Sequence, residues 1–129
     1  MLSVIFVPFS FLVFASSMAV AQTPAVVEVH MTNFKFAPQP IALVHGQPYT
    51  LRVVNDASGG HNLTAKAFFD AAQVTPHDRP LISAKGTIEV PAGQAREIHL
   101  VAPAAGDYAV KCTHFLHESF GMKGRIVVN

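Results

Sequence analysis

The sequence predicts an all-β sandwich or barrel, and three observations predict it. Short runs alternate apolar and polar residues. Gly, Pro, Asn and Asp punctuate these runs at regular spacing. A single stretch, Lys66 to Gln73 (K-A-F-F-D-A-A-Q), has a helical character. That is too little for the strand–helix alternation of a parallel α/β sheet. No internal repeat and no long linker divides the chain.

The elements follow in order. Val26 to Thr32 (V-V-E-V-H-M-T) alternates and reads as a strand. Phe34 and Phe36 belong to an extended segment whose aromatics close one edge of the core. Ile41 to Val44 is a short strand, and His45-Gly46-Gln47-Pro48 is a turn. Tyr49 to Asn55 alternates again, with Tyr49, Leu51 and Val53 facing inward. Asp56 to Gly60 is a flexible turn, after which His61 to Ala65 is extended. Thr75 to Pro80 is a polar loop, and Leu81 to Val90 holds a strand or two. Ala95 to Ala102 points Ile98 and Leu100 inward. Tyr108, Val110 and Cys112 share one face of the next strand, and Arg125 to Val128 is the last.

The first 21 residues are apolar and small, and they end in Ala19-Val20-Ala21, an A-x-A pattern. They read as a cleaved secretory signal, although Lys and Arg are missing from the start. An uncleaved anchor helix is the alternative; Pro8 and a length near the lower limit for a span count against it. Either reading places residues 22–129, one domain's worth of chain, outside the cytoplasm, in the periplasm or its equivalent. The formal net charge is +1 and the basic residues are scattered. No cluster tracks phosphates, so nucleic acid is not an expected partner.

One cysteine, Cys112, occurs in the whole chain. It has no internal disulfide partner, and in an oxidising compartment a bare thiol is a liability. A buried inert cysteine is one explanation; a metal-bound thiolate is another. The neighbours favour the second. Cys112 ends a strand, a loop with His114 and His117 follows, and Gly121-Met122 precedes the last strand. Thiolate, imidazole and thioether are the donors of a His2Cys copper site with a weak axial Met. That set needs a histidine from elsewhere. Of the seven in the chain, His30, His45, His77 and His99 fall in strand-like runs, a turn or a polar loop, and read as surface residues. His61 follows two glycines, where backbone can pass close to an ion.

These residues carry a family resemblance. N-D-A-S-G-G-H-N at 55–62, A-G-D-Y-A-V-K-C-T at 105–113 and H-E-S-F-G-M-K-G-R-I-V-V at 117–128 resemble the cupredoxins, the small type 1 blue copper proteins such as plastocyanin and azurin. The resemblance covers essentially all of residues 22–129 and implies a Greek-key sandwich. It implies His61, Cys112, His117 and Met122 as copper ligands. The spacing C-x4-H-x4-M is similar to that of rusticyanin. His114 departs from the pattern and is an alternative ligand; the His117-to-Met122 distance favours His117. The resemblance also implies a tie between Asn62 and Thr113 that braces the loop, and a Gly60 carbonyl opposite Met122. Phe115, Leu116 and Phe120 surround His117 as a docking patch.

The function so implied is one-electron transfer between transient protein partners by a monomer with one type 1 copper. No small-molecule substrate is expected. A copper carrier or chaperone, using the same ligands without an electron-transfer role, is the alternative. An enzyme is not expected: a binuclear copper centre needs two loop cysteines, and a multicopper oxidase needs His-x-His pairs. The chain has neither.

Overall fold

The computed structural model describes residues 11–129. Ten strands form two five-stranded sheets packed face to face. They are β1 (Ala25–Thr32), β2 (Lys35–Ala37), β3 (Ile41–Leu43), β4 (Pro48–Asn55), β5 (His61–Thr64), β6 (Gln73–Val74), β7 (Thr87–Val90), β8 (Ala95–Val101), β9 (Gly106–Lys111) and β10 (Lys123–Val128). One short helix, α1 (Lys66–Ala71), follows β5. The first sheet has the order β2-β1-β4-β8-β6, the second β3-β10-β9-β5-β7. From β4 to β9 the chain changes sheet at every step. Successive strands therefore face each other across the core, and the all-β sandwich expected from the turn spacing is present.

The alternation fixes which face is buried, because a pleated strand turns every second side chain to the same side. Along β4, Tyr49, Leu51, Val53 and Asn55 are buried. In β8 the buried pair is Ile98 and Leu100. Phe36, Phe68 and Phe69 are the largest side chains in the core. Each contributes roughly 2–3 kcal/mol of hydrophobic burial. The two phenylalanines of α1 lie edge to face, 5.2 Å apart, and Phe68 also meets Tyr108 of β9 at 5.7 Å.

Three expectations change. Strand character between residues 81 and 90 is confined to β7; a 3-10 turn (Arg79–Leu81) occupies the start. The helix expected to run to Gln73 ends at Ala71, and Gln73–Val74 form a two-residue strand, β6, that pairs with β8. The polar loop also holds Asp78, which is 3% exposed. Of the expected leader, residues 1–10 lie outside the described residues, and 11–21 are exposed without helix or strand. Among the described residues no helix is long and apolar enough to cross a membrane.

The topology positions three ligand candidates at one end of the sandwich. β5 lies between β7 and β9 and begins at His61. β9 and β10 are antiparallel, with Lys111 opposite Lys123. Cys112 and Met122 thus flank the mouth of the hairpin. The Cys112 N–H donates to the Met122 carbonyl at 3.0 Å.

Candidate metal centre

His61 and Cys112 are fully buried at strand ends. The loop before His61 is shaped by Asn55, also fully buried. Its amide donates to the carbonyls of Gly59 and Val90, both at 2.9 Å, and its oxygen accepts from the Ala57 N–H. One side chain thereby closes the turn, ties it to β7 and fixes where β5 starts. The other histidine comes from the 113–121 loop. The His117 N–H donates to the His114 carbonyl, and the His117 carbonyl accepts from the N–H groups of Phe120 and Met122. Leu116 has φ 62° and Gly121 φ 94°. A left-handed conformation is costly for leucine and free for glycine. The turn thus folds back to carry Met122 into the core, where it is fully buried.

These elements bring together the donor atoms of His61, Cys112 and His117, all within 4.8 Å of one another. The two Nδ1 atoms are 3.1 Å apart. Cys112 Sγ lies 3.8 Å from that of His61 and 3.5 Å from that of His117. Bonds of about 2.0 Å to nitrogen and 2.3 Å to sulfur, usual for zinc, give separations of about 3.5 Å (N to N) and 3.7 Å (N to S) in a trigonal plane. The residues present therefore fit one metal ion of that size. A thiolate with two imidazoles is a set that suits copper.

His61 is prepared as a neutral ligand. Its Nε2–H donates to Asn33 Oδ1 at 2.8 Å, which leaves the Nδ1 lone pair facing the cluster. Burial pushes its pKa below the ordinary histidine value, and nearby His117 and His114 push the same way; Glu89 opposes them. The sequence reading missed Asn33. It lies in the turn after β1, where an asparagine reads as a turn former.

The expected brace is present. The Asn62 amide donates to Thr113 Oγ1 at 2.8 Å, and its oxygen accepts from the Thr113 N–H at 2.9 Å. The Asn62 N–H also points at Cys112 Sγ, 3.5 Å away. His114 is near the centre but outside the donor cluster. Its Nε2 is engaged by Glu89 Oε1, and its ring stacks on His117 at 5.5 Å. Gly60 makes room for that ring: a Cβ there would lie 3.2 Å from His114 Cε1. Phe115, Leu116 and Phe120 are all exposed. Phe34 joins them from the β1–β2 turn, 5.0 Å from the His117 ring and 5.1 Å from Phe120.

Residues 24–129 match the family described as copper binding proteins, plastocyanin/azurin family. The chain belongs to this family. Its copper site is of type 1, with His61, Cys112, His117 and Met122 in the family's arrangement. No curated protein matches the chain significantly. Among solved structures, auracyanin B is 27% identical over 88% of this chain and 95% of its own, with a TM-score of 0.61. Auracyanin A, a "blue" copper protein from Chloroflexus aurantiacus, is 21% identical over 83% and 100%, with a TM-score of 0.60. The fold also recurs in the McoA multicopper oxidase of Aquifex aeolicus: 16% identity, TM-score 0.59, over 82% of this chain but 29% of that one.

Proposed function

We propose that the protein is an exported one-electron carrier that passes electrons between transient protein partners. The observation that carries this reading is the convergence of two imidazole Nδ1 atoms and one thiol on a point enclosed by strand ends. Copper, when bound there, supplies the Cu(II)/Cu(I) couple. The chain's own residues do the rest. Cys112 gives up its proton on metal uptake and is held by the Met122 carbonyl and the Asn62 N–H. Asn33 fixes the His61 tautomer. Because strands and a closely hydrogen-bonded loop hold the donors, little moves between oxidation states. Burial of His61 and Cys112 also favours keeping the ion over handing it to a partner.

His117 is the exit to the surface. Phe34 packs against its ring and against exposed Phe120, and exposed Phe115 and Leu116 precede it in the same loop. An apolar patch of this kind suits brief, small-area encounters. Export agrees with the apolar leader and with a lone thiol that needs protection. An oxidase role is disfavoured by the missing His-x-His pairs.

The test is spectroscopic. Loaded with Cu(II), the protein should show an intense thiolate-to-copper band in the visible and narrow parallel hyperfine splitting in its paramagnetic resonance spectrum. It should also cycle reversibly without releasing copper. A colourless loaded protein, or a Cys112→Ser variant that keeps the colour, sinks the reading.

A further inference from the structure

Glu89 stands on β7, two strands from Cys112, and its carboxylate reaches the centre's surroundings by two routes. One oxygen, Oε1, is engaged by His114 Nε2, whose ring stacks on His117 with 21° between the planes. The other, Oε2, accepts from Asn62 Nδ2 at 3.2 Å. This second bond completes the asparagine. Its two amide hydrogens go to Glu89 and Thr113 Oγ1, and its oxygen accepts from the Thr113 N–H and from Thr64 Oγ1. Both donors and both acceptor positions of the side chain are then used. An amide so saturated has one orientation, and its backbone N–H is the group aimed at Cys112 Sγ.

We infer that Glu89 is a positioning residue of the copper centre. It holds His114 against His117 on one side and locks Asn62, hence the Cys112–Thr113 segment, on the other. The β5–β7 register makes the second contact local, since Asn62 is opposite Glu89. The first is fitted closely to Gly60, because a Cβ there would stand 3.2 Å from His114 Cε1 and push that ring by a few tenths of an ångström. Gly60, Glu89, Asn62 and His114 are thus parts of one clamp around two ligands from different elements. Groups that orient metal ligands in this way typically change affinity or activity 10–100-fold when removed.

The inference rests on the copper reading, so its test has an arm that needs no copper. Glu89 is more than half exposed, and its removal leaves the core intact. In the metal-free protein, Glu89→Ala should speed solvent exchange of the Asn62 side-chain amide protons about tenfold, as expected for a lost bond to a charged acceptor. In the loaded protein it should weaken Cu(I) affinity, measured against a chromogenic chelator, about tenfold or more and move the thiolate-to-copper band. Glu89→Gln keeps an acceptor for Asn62 and should recover most of both effects. Gly60→Ala presses on His114 and leaves the Glu89 Oε2 bond to Asn62 in place; it should move the band and leave the amide exchange largely unchanged. Unchanged exchange in Glu89→Ala overturns the Asn62 route, and an unmoved band in Gly60→Ala overturns the His114 route. A wild-type protein that never turns blue refutes the copper reading instead, and amide exchange still decides whether the clamp exists.

Discussion

Two clusters in this molecule combine histidines with a buried polar group, and they differ in how their lone pairs are used. At one end, His61, His117 and Cys112 aim their donor atoms at a common point, 3.1 to 3.8 Å from one another. On the first sheet, buried Asp78 accepts from His77 Nδ1 at 2.9 Å, from the His99 N–H at 2.8 Å, from His99 Nδ1 at 2.7 Å and from Thr75 Oγ1 at 3.1 Å. Both oxygens of that carboxylate are engaged, Oδ2 three times and Oδ1 once. A set of donors whose lone pairs converge on one point is a place for an ion. A set that satisfies itself is a structural joint, here tying the Thr75–Leu81 segment to β8 at the end of the β6–β8 pairing. Histidine count alone does not distinguish the two.

The sharpest way to break this comparison is to remove one histidine from each cluster. His117→Gly should abolish the blue colour or leave it dependent on added imidazole. His99→Gly should keep the colour fully. His114→Gly, which removes the stacked neighbour of His117 and no donor of the trio, should shift the band and keep it. Visible spectra of the three loaded variants decide. Loss of colour in His114→Gly with retention in His117→Gly would reassign the loop ligand.

The second cluster makes the complementary prediction. Burial opposes ionisation of Asp78. The bonds from His77, from the backbone and ring of His99 and from Thr75 outweigh it and hold the carboxyl well below the usual aspartate range. A depressed folded-state pKa contributes stability that is fully present above the unfolded value, about 3.9. That stability is lost as pH falls below it. Asp78→Ala should therefore cost about 2 kcal/mol near neutral pH, read as a lower denaturant midpoint. It should flatten the loss of stability below about pH 4 and leave the copper band where it was. A variant as stable as wild type, with the same acid profile, would show that the joint carries no load.

The two clusters were also unequally legible in the sequence. Cys112, His117 and Met122 lie close together in one hairpin, and the strand alternation on either side shows that hairpin directly. His61 and Asn62 could be read because two glycines and a matching motif mark them. Asp78 could not, since an aspartate between prolines in a polar segment has the composition of a surface loop. Its burial depends on β6 pairing with β8, and a two-residue strand leaves no period to detect. Asn33, Phe34 and Glu89 were missed for a related reason. Each is ordinary within its own element, a turn asparagine, an edge aromatic and an outward strand carboxylate. Each acquires its role where a second element arrives, 25 to 86 residues away along the chain. Alternation within a strand tells which way a side chain points; it does not tell what it meets there.

Asn33 gives the smallest of the expected effects and the finest test of how the copper-end lone pairs are kept facing one point. Its oxygen takes the Nε2 hydrogen of His61, so the proton of the neutral ring resides away from the thiol and Nδ1 stays free. Without that acceptor the buried ring can turn or place its proton on Nδ1, and the metal must then displace it. Asn33→Ala should lower copper affinity about tenfold, equivalent to about 1.4 kcal/mol, with the blue band retained because every ligand remains. Asn33→Asp restores an acceptor, now charged, and should return affinity to the wild-type level or above it. Equal affinities across all three proteins would mean that burial alone orients His61, and that the converging lone pairs of this cluster owe nothing to the turn after β1.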